Sequence, residues 1–227
     1  GIGKIGVGVI GVGGWGKHHA RVYSELQNLC ALRALCDLNP AAAKQIAHPL
    51  GVGWYSGLSE FLARKDIEAV SICTPSTTHY QIALEAIKAG KHLLVEKPMF
   101  TQPSEALEVI RLCRREGLRL TVGFVERFNK GVQSLKGLVE RGELGVIRQI
   151  SAARISGRPP QIKDTGVVLD TAIHDIDIVR YLLTRNPTRI YAQAENTLGE
   201  LTQGHESRVE IHLHIPTGIS GQILAEW

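Results

Sequence analysis

A histidine four residues after an aspartate can move a proton, and Asp170 with His174 is such a pair. Near neutral pH the imidazole accepts a proton, while the carboxylate orients the ring and stabilises the imidazolium that forms. On a regular helix over 167–183, Asp170, His174 and Asp177 fall at i, i+4 and i+7 on one face, and Leu169, Ala172, Ile173, Ile176, Val179 and Leu183 make a core stripe on another. By spacing alone such a pair is more often a surface hydrogen bond. A second basic group, Lys97, stands in Val95-Glu96-Lys97-Pro98 behind an apolar run, at the strand end where open α/β sheets hold ligands. The tetrapeptide alone reads equally as a strand-end turn with a solvated lysine. Pro98 is a position where a cis peptide could fix the direction of the lysine.

A phosphate-binding turn lies near the start. Gly11-Val-Gly13-Gly14-Trp15-Gly16 sits between the apolar run 5–10 and a helix-like stretch. Gly11 permits the tight turn, Gly13 lets backbone approach a pyrophosphate, and Gly16 lets helix and strand pack closely. The run 32–36 then ends in Asp37, about twenty residues past the third glycine, where a carboxylate can accept both ribose hydroxyls. That carboxylate repels a ribose 2′-phosphate, and Leu38, Asn39 and Pro40 offer no cation to bind one, so NAD(H) is favoured over NADP(H). The plainer alternative leaves Asp37 as a solvated strand-end residue ahead of a helix that starts at Asn39-Pro40.

These groups need elements to position them. Over 5–122, β-rich runs at 5–10, 32–36, 53–55, 69–73, 92–95 and 118–122 alternate with helical patterns. That alternation predicts a doubly wound parallel sheet of Rossmann type. Beyond residue 123 the pattern becomes a helix at 132–141, a long strand at 146–156, a Pro-rich loop, the helix 167–183 and successive strands, the last two at 208–215 and 219–227. The expected organisation is a dinucleotide-binding domain over 1–123 and an α+β domain over 124–227 with an open, mostly antiparallel sheet. An apolar strand ending on Trp227 suggests a truncated C-terminus.

Composition bounds the function classes. With 227 residues and 44% hydrophobic content, the chain can bury two cores. The net charge of +4 is spread without a basic block, which argues against nucleic acid and mildly favours an anionic small molecule. Four cysteines without Cys-x-x-Cys spacing read as reduced core thiols. With no signal peptide and no membrane-length apolar run, a cytoplasmic protein is expected. His205, His212 and His214 raise the question of metal, but the alternation around 212–214 is also that of a half-exposed strand, and no metal site is expected.

Several motifs in chain order resemble the Gfo/Idh/MocA family of NAD(P)-dependent sugar and polyol oxidoreductases. They are the glycine turn followed by Lys17-His-His19-Ala-Arg21, then Thr74-Pro75 with His79, Glu96-Lys97-Pro98, Gly123-Phe-Val-Glu-Arg127-Phe-Asn129, and Gly166-Val-Val-Leu-Asp170-Thr-Ala-Ile-His174-Asp-Ile-Asp177. The resemblance implies that Lys97, Asp170 and His174 converge on the substrate beside a nicotinamide. It implies cofactor contacts from Gly11, Gly13, Gly14, Trp15, Gly16, Asp37, Thr74, Pro75, His79, Glu96 and Lys97. Substrate contacts are implied at Arg127, Asn129, Lys163, Asp170 and His174. Ser76 and Lys130 depart from the usual wording, which has Asn and Pro there. The local wording around Arg127, 159–166 and 172–177 is similar to members that oxidise the 3-hydroxyl of UDP-N-acetylglucosamine or its uronate.

The expectation is therefore a homo-oligomeric, NAD-dependent dehydrogenase of a nucleotide sugar. His174 oriented by Asp170 is the first choice of base and Lys97 the second. Two rivals stand beside it. One is a dehydrogenase of a free polyol or aldose such as inositol; the other is a non-catalytic NAD-binding regulator on the same fold, which would have no reason to keep all three catalytic groups.

Overall fold

A computed structural model describes residues 3–160 and 164–227. It divides into two compact units, one ending at Gly123 and the other beginning at Phe124.

The first unit runs β1 (Ile5–Ile10), α1 (Gly16–Glu25), β2 (Cys30–Cys36), α2 (Pro40–Leu50), β3 (Gly53–Tyr55), α3 (Leu58–Leu62), β4 (Ala69–Ile72), α4 (His79–Lys88), β5 (His92–Val95), α5 (Pro103–Arg115) and β6 (Leu120–Val122). Its six strands lie in the order β3-β2-β1-β4-β5-β6, with every pair parallel. Strand order reverses between β1 and β4, so a crevice opens outside the carboxyl ends of those strands. Alternation along the strands feeds two cores. Val9 and Leu35 pack with Ala20 and Ala47, whereas their neighbours Ile10, Ala34 and Cys36 join Phe61, Ile67, Ile72 and Val95. Phe61 is fully buried, and its ring occupies the space where Gly8 would carry a side chain. Truncating it to Ala would cost about 3–5 kcal/mol. Asn39 caps α2 by accepting from the N–H groups of Ala41 and Ala42, with Pro40 in the first turn.

The second unit holds α6 (Lys130–Glu140), β7 (Gln149–Ile155), a π-helical segment (Val168–Ala172) that runs into α7 (Ile173–Leu183), β8 (Arg189–Glu195), β9 (Arg208–Ile215) and β10 (Ile219–Glu226). Its sheet has the order β7-β10-β9-β8. The β8–β9 and β9–β10 pairs are antiparallel, while β7 lies parallel to β10. Val209, Ile211, Leu213 and Ile215 alternate into a core with Val167, Ala172 and Val179, and Glu210, His212 and His214 face outward. This is the open, mostly antiparallel sheet expected, with one parallel edge.

One element differs from its expectation. The helix over 167–183 is not regular, because its first turn is a π segment. A π turn closes i→i+5 hydrogen bonds, so the spacing through Asp170 is not that of a regular α-helix. Among the described residues no helix is long and apolar enough to cross a membrane, and no group of three or more His, Cys, Asp or Glu could hold a metal ion.

Candidate active site

The glycine turn joins β1 to α1 at the switch point. Gly11 has φ +82°, and a Cβ there would stand 2.9 Å from the Cys73 carbonyl, so only glycine fits. A side chain on Gly16 would overlap the Gly11 carbonyl oxygen. Gly13 and Gly14 face open space, with no atom within 4 Å of where a Cβ would be, and Trp15 stands at the N-cap of α1 without a side-chain cap bond. An uncapped helix start behind open glycines leaves N–H donors for a phosphate. The Asp37 carboxylate points back at this turn: Oδ2 accepts from the Val12 N–H at 2.8 Å and Oδ1 from the Asn39 N–H at 2.8 Å. Asp37 is thus tied to the glycine turn and is not merely a solvated strand end. These residues fit a dinucleotide.

The end of β5 is tied down on several sides. The Lys97–Pro98 peptide is cis. Glu96 brings Oε1 to 2.6 Å from His19 Nε2 on α1, and its Oε2 accepts from the Lys97 N–H at 3.1 Å. Gly123 leaves room for that carboxylate, since a Cβ would stand 2.8 Å from it. His79 is buried, with Nδ1 3.0 Å from the Pro98 carbonyl oxygen and Nε2 2.8 Å from that of Thr74. Its ring therefore lies beneath the loops after β4 and β5 and links them. Thr74 also takes a hydrogen bond on Oγ1 from Thr78 at 2.8 Å.

In the second unit, Gly166 and Glu206 set the start of the π segment. The Glu206 carboxylate accepts from the Val168 N–H at 3.1 Å, in space that any side chain on Gly166 would fill. Asp170 lies in the π segment, where Oδ2 accepts from the Thr171 hydroxyl at 3.2 Å. His174 follows in the first turn of α7, half-buried. Asp175 and Asp177 are buried and paired: Arg154 reaches Asp175 with two nitrogens at 3.1 Å, and Arg127 reaches Asp177 with two at 2.7 and 2.5 Å. Asn129 caps α6 by accepting from the Gly131 N–H at 2.9 Å. Lys163 lies outside the described residues. Spacing gave no sign of His19, Gly123, Glu206 or Thr171, because their partners stand far off in the chain or, for Thr171, beside it on an irregular turn.

A glycine turn at the switch point of a parallel sheet, with a carboxylate fastened to it from β2, defines a dinucleotide-binding Rossmann unit. Residues 5–124 match the family model described as "Oxidoreductase family, NAD-binding Rossmann fold", and residues 132–227 match the "GFO/IDH/MocA C-terminal domain". The chain belongs to the Gfo/Idh/MocA family of oxidoreductases, and its first unit is the NAD-binding domain.

Among curated relatives, the chain is 32% identical to the UDP-N-acetylglucosamine 3-dehydrogenase of Acidithiobacillus ferrooxidans over 82% of this chain and 56% of that protein. It is 34% identical to an inositol 2-dehydrogenase of Agrobacterium fabrum over 79% and 54%. Among solved structures, apo scyllo-inositol dehydrogenase from Lactobacillus casei superposes with a TM-score of 0.87 at 26% identity, covering 98% of this chain and 68% of that one. The chain spans just over half the length of the curated relatives it matches.

Proposed function

We propose that the chain is an NAD-dependent dehydrogenase of a secondary hydroxyl on a sugar or polyol. The observation that carries this reading is the retention of three proton-handling groups in a chain whose glycine turn and Asp37 fit the dinucleotide: Lys97 at the end of β5, and Asp170 with His174 at the head of α7. When bound, the nicotinamide supplies the hydride acceptor. The residues of the chain then bind, orient and move a proton. His174 takes the hydroxyl proton on a ring nitrogen, and the Asp170 carboxylate stabilises the resulting cation. Lys97 is the second candidate for the group that takes this proton. Four free cysteines, three of them buried, support a reducing, cytoplasmic setting.

For the substrate, the wording around Arg127 and 159–177 supports oxidation at C3 of a UDP-N-acetylhexosamine or its uronate. A second reading, a free polyol such as inositol, gains from one observation. Arg127 and Arg154, two cations suited to a diphosphate, are spent on Asp177 and Asp175. The discriminating experiment is a panel of nucleotide sugars and free polyols assayed for NADH formation. Turnover of a nucleotide sugar alone would select the first reading, turnover of inositols alone the second, and no turnover of either with intact NAD binding would overturn the dehydrogenase assignment.

A further inference from the structure

Thr171 stands between the donor-only indole of Trp227 and the carboxylate of Asp170. Trp227 Nε1 lies 3.0 Å from Thr171 Oγ1, and that oxygen lies 3.2 Å from Asp170 Oδ2. Trp227 and Thr171 are buried, at 7% and 5% exposure, so bulk water does not compete for the bond between them, while the bond to Asp170 is part-buried. An indole can only donate, and a hydroxyl has one hydrogen to give. The indole therefore takes an acceptor site on Oγ1 and leaves the hydroxyl hydrogen for the carboxylate. The polarity of the chain, Trp227 to Thr171 to Asp170, is fixed by chemistry. On a regular helix, sequence neighbours point about 100° apart and do not face each other. Here the two meet within the π segment, where the turn is wider. Trp227 is itself anchored, since its backbone N–H donates to the Ser207 carbonyl at 2.9 Å.

We propose that Thr171 and Trp227 are positioning residues that aim the Asp170 carboxylate by holding its Oδ2 as an acceptor. The catalytic part of this inference rests on the proposed role of Asp170; the relay itself does not.

The test uses the full chain in two arms. In the first, the indole Nε1–H resonance of Trp227 is identified among those of three tryptophans by its loss in Trp227→Phe. It should shift in Thr171→Val, and also in Asp170→Asn, because polarisation passes through the hydroxyl. A Trp227 resonance that ignores both changes overturns the relay. In the second arm, steady-state kinetics use whichever substrate the panel identifies. Thr171→Val, which keeps the shape and removes the hydroxyl, should lower kcat about tenfold, the worth of one buried hydrogen bond, with the KM for NAD unchanged. Thr171→Ser should restore kcat to within about twofold, and Trp227→Phe should fall between. If Asp170→Asn loses activity while Thr171→Val keeps it, the positioning role fails and the catalytic reading stands. If Asp170→Asn keeps full activity while the indole still responds, the catalytic reading fails and the relay stands as architecture alone.

Discussion

Arg127 grips the carboxylate of Asp177 with two nitrogens, fifty positions apart in the chain, and lays its guanidinium over the rings of Phe124 and Tyr181 at 5.7 and 5.4 Å. Asp177 is only 2% exposed, so the pair fastens α7 to the segment before α6. Asp177→Asn should therefore destabilise the chain by about 2 kcal/mol, discounted from the usual cost of breaking a buried pair because Arg127 is partly solvated. Urea unfolding with an unchanged slope would register it as a lower midpoint. A variant of normal stability with a raised KM for a UDP-sugar would instead give Arg127 to the substrate.

Lys97→Ala should remove most turnover and leave NAD affinity nearly unchanged, because the glycine turn and Asp37 lie at the ends of β1 and β2 while Lys97 lies at the end of β5. Titrating NADH fluorescence beside the kinetics separates the two effects. Joint loss of binding and turnover would count against a catalytic lysine.

His174→Ala should lower kcat and kcat/KM together by about 10²–10⁴-fold, the usual worth of a positioned general base. Asp170→Asn should cost less, since the imidazole remains in place. The wild-type rate should fall toward acid as the imidazole protonates, and this limb should vanish in His174→Ala. Its persistence, with kcat intact, would pass the base role to Lys97.

Burial pushes the Cys36 thiol up to about 11, with the Asp37 charge adding to it, and pushes the Cys73 thiol up as well, with Glu96 adding. Thiolate is the reactive form, so the native chain should resist iodoacetamide at mildly alkaline pH and react fully once unfolded. The sign for stability follows. Above the ordinary thiol range the unfolded chain releases these protons first, so stability should decline as pH rises there. Rapid labelling of Cys73 in the native state would contradict this.

The outward face of the second sheet, with Tyr191, His212 and Gln222 exposed, is proposed to pack against another copy of the chain. Light scattering at micromolar concentration should report a dimer or larger, and a monomer would refute it.

What the sequence made legible was local. Buried β-branched and leucine residues at 5–10, 92–95 and 208–215 coincide with observed strands, because alternation and continuous burial leave a mark in composition. The glycine turn was legible because backbone geometry at Gly11 and Gly16 excludes a side chain. β8 carried no such mark: every residue of Arg189–Glu195 is exposed, so burial imposed no pattern on it. The π segment was hidden because one extra residue in a turn alters no composition. His19 with Glu96 and Trp227 with Thr171 are separated by 77 and 56 positions, and periodicity says nothing about contacts made by the fold as a whole.

The Asp37 carboxylate has two employments. One is the ribose contact proposed for it; the other is to fasten the glycine turn through the Val12 N–H. Exchanging it for a residue that admits a 2′-phosphate would also unfasten the loop meant to carry the pyrophosphate. A lineage moving from one dinucleotide to the other must therefore acquire a second clasp for that loop before, or together with, the change at position 37. A single substitution there would then weaken binding of both coenzymes, which would tie the choice of coenzyme to the fastening of the loop.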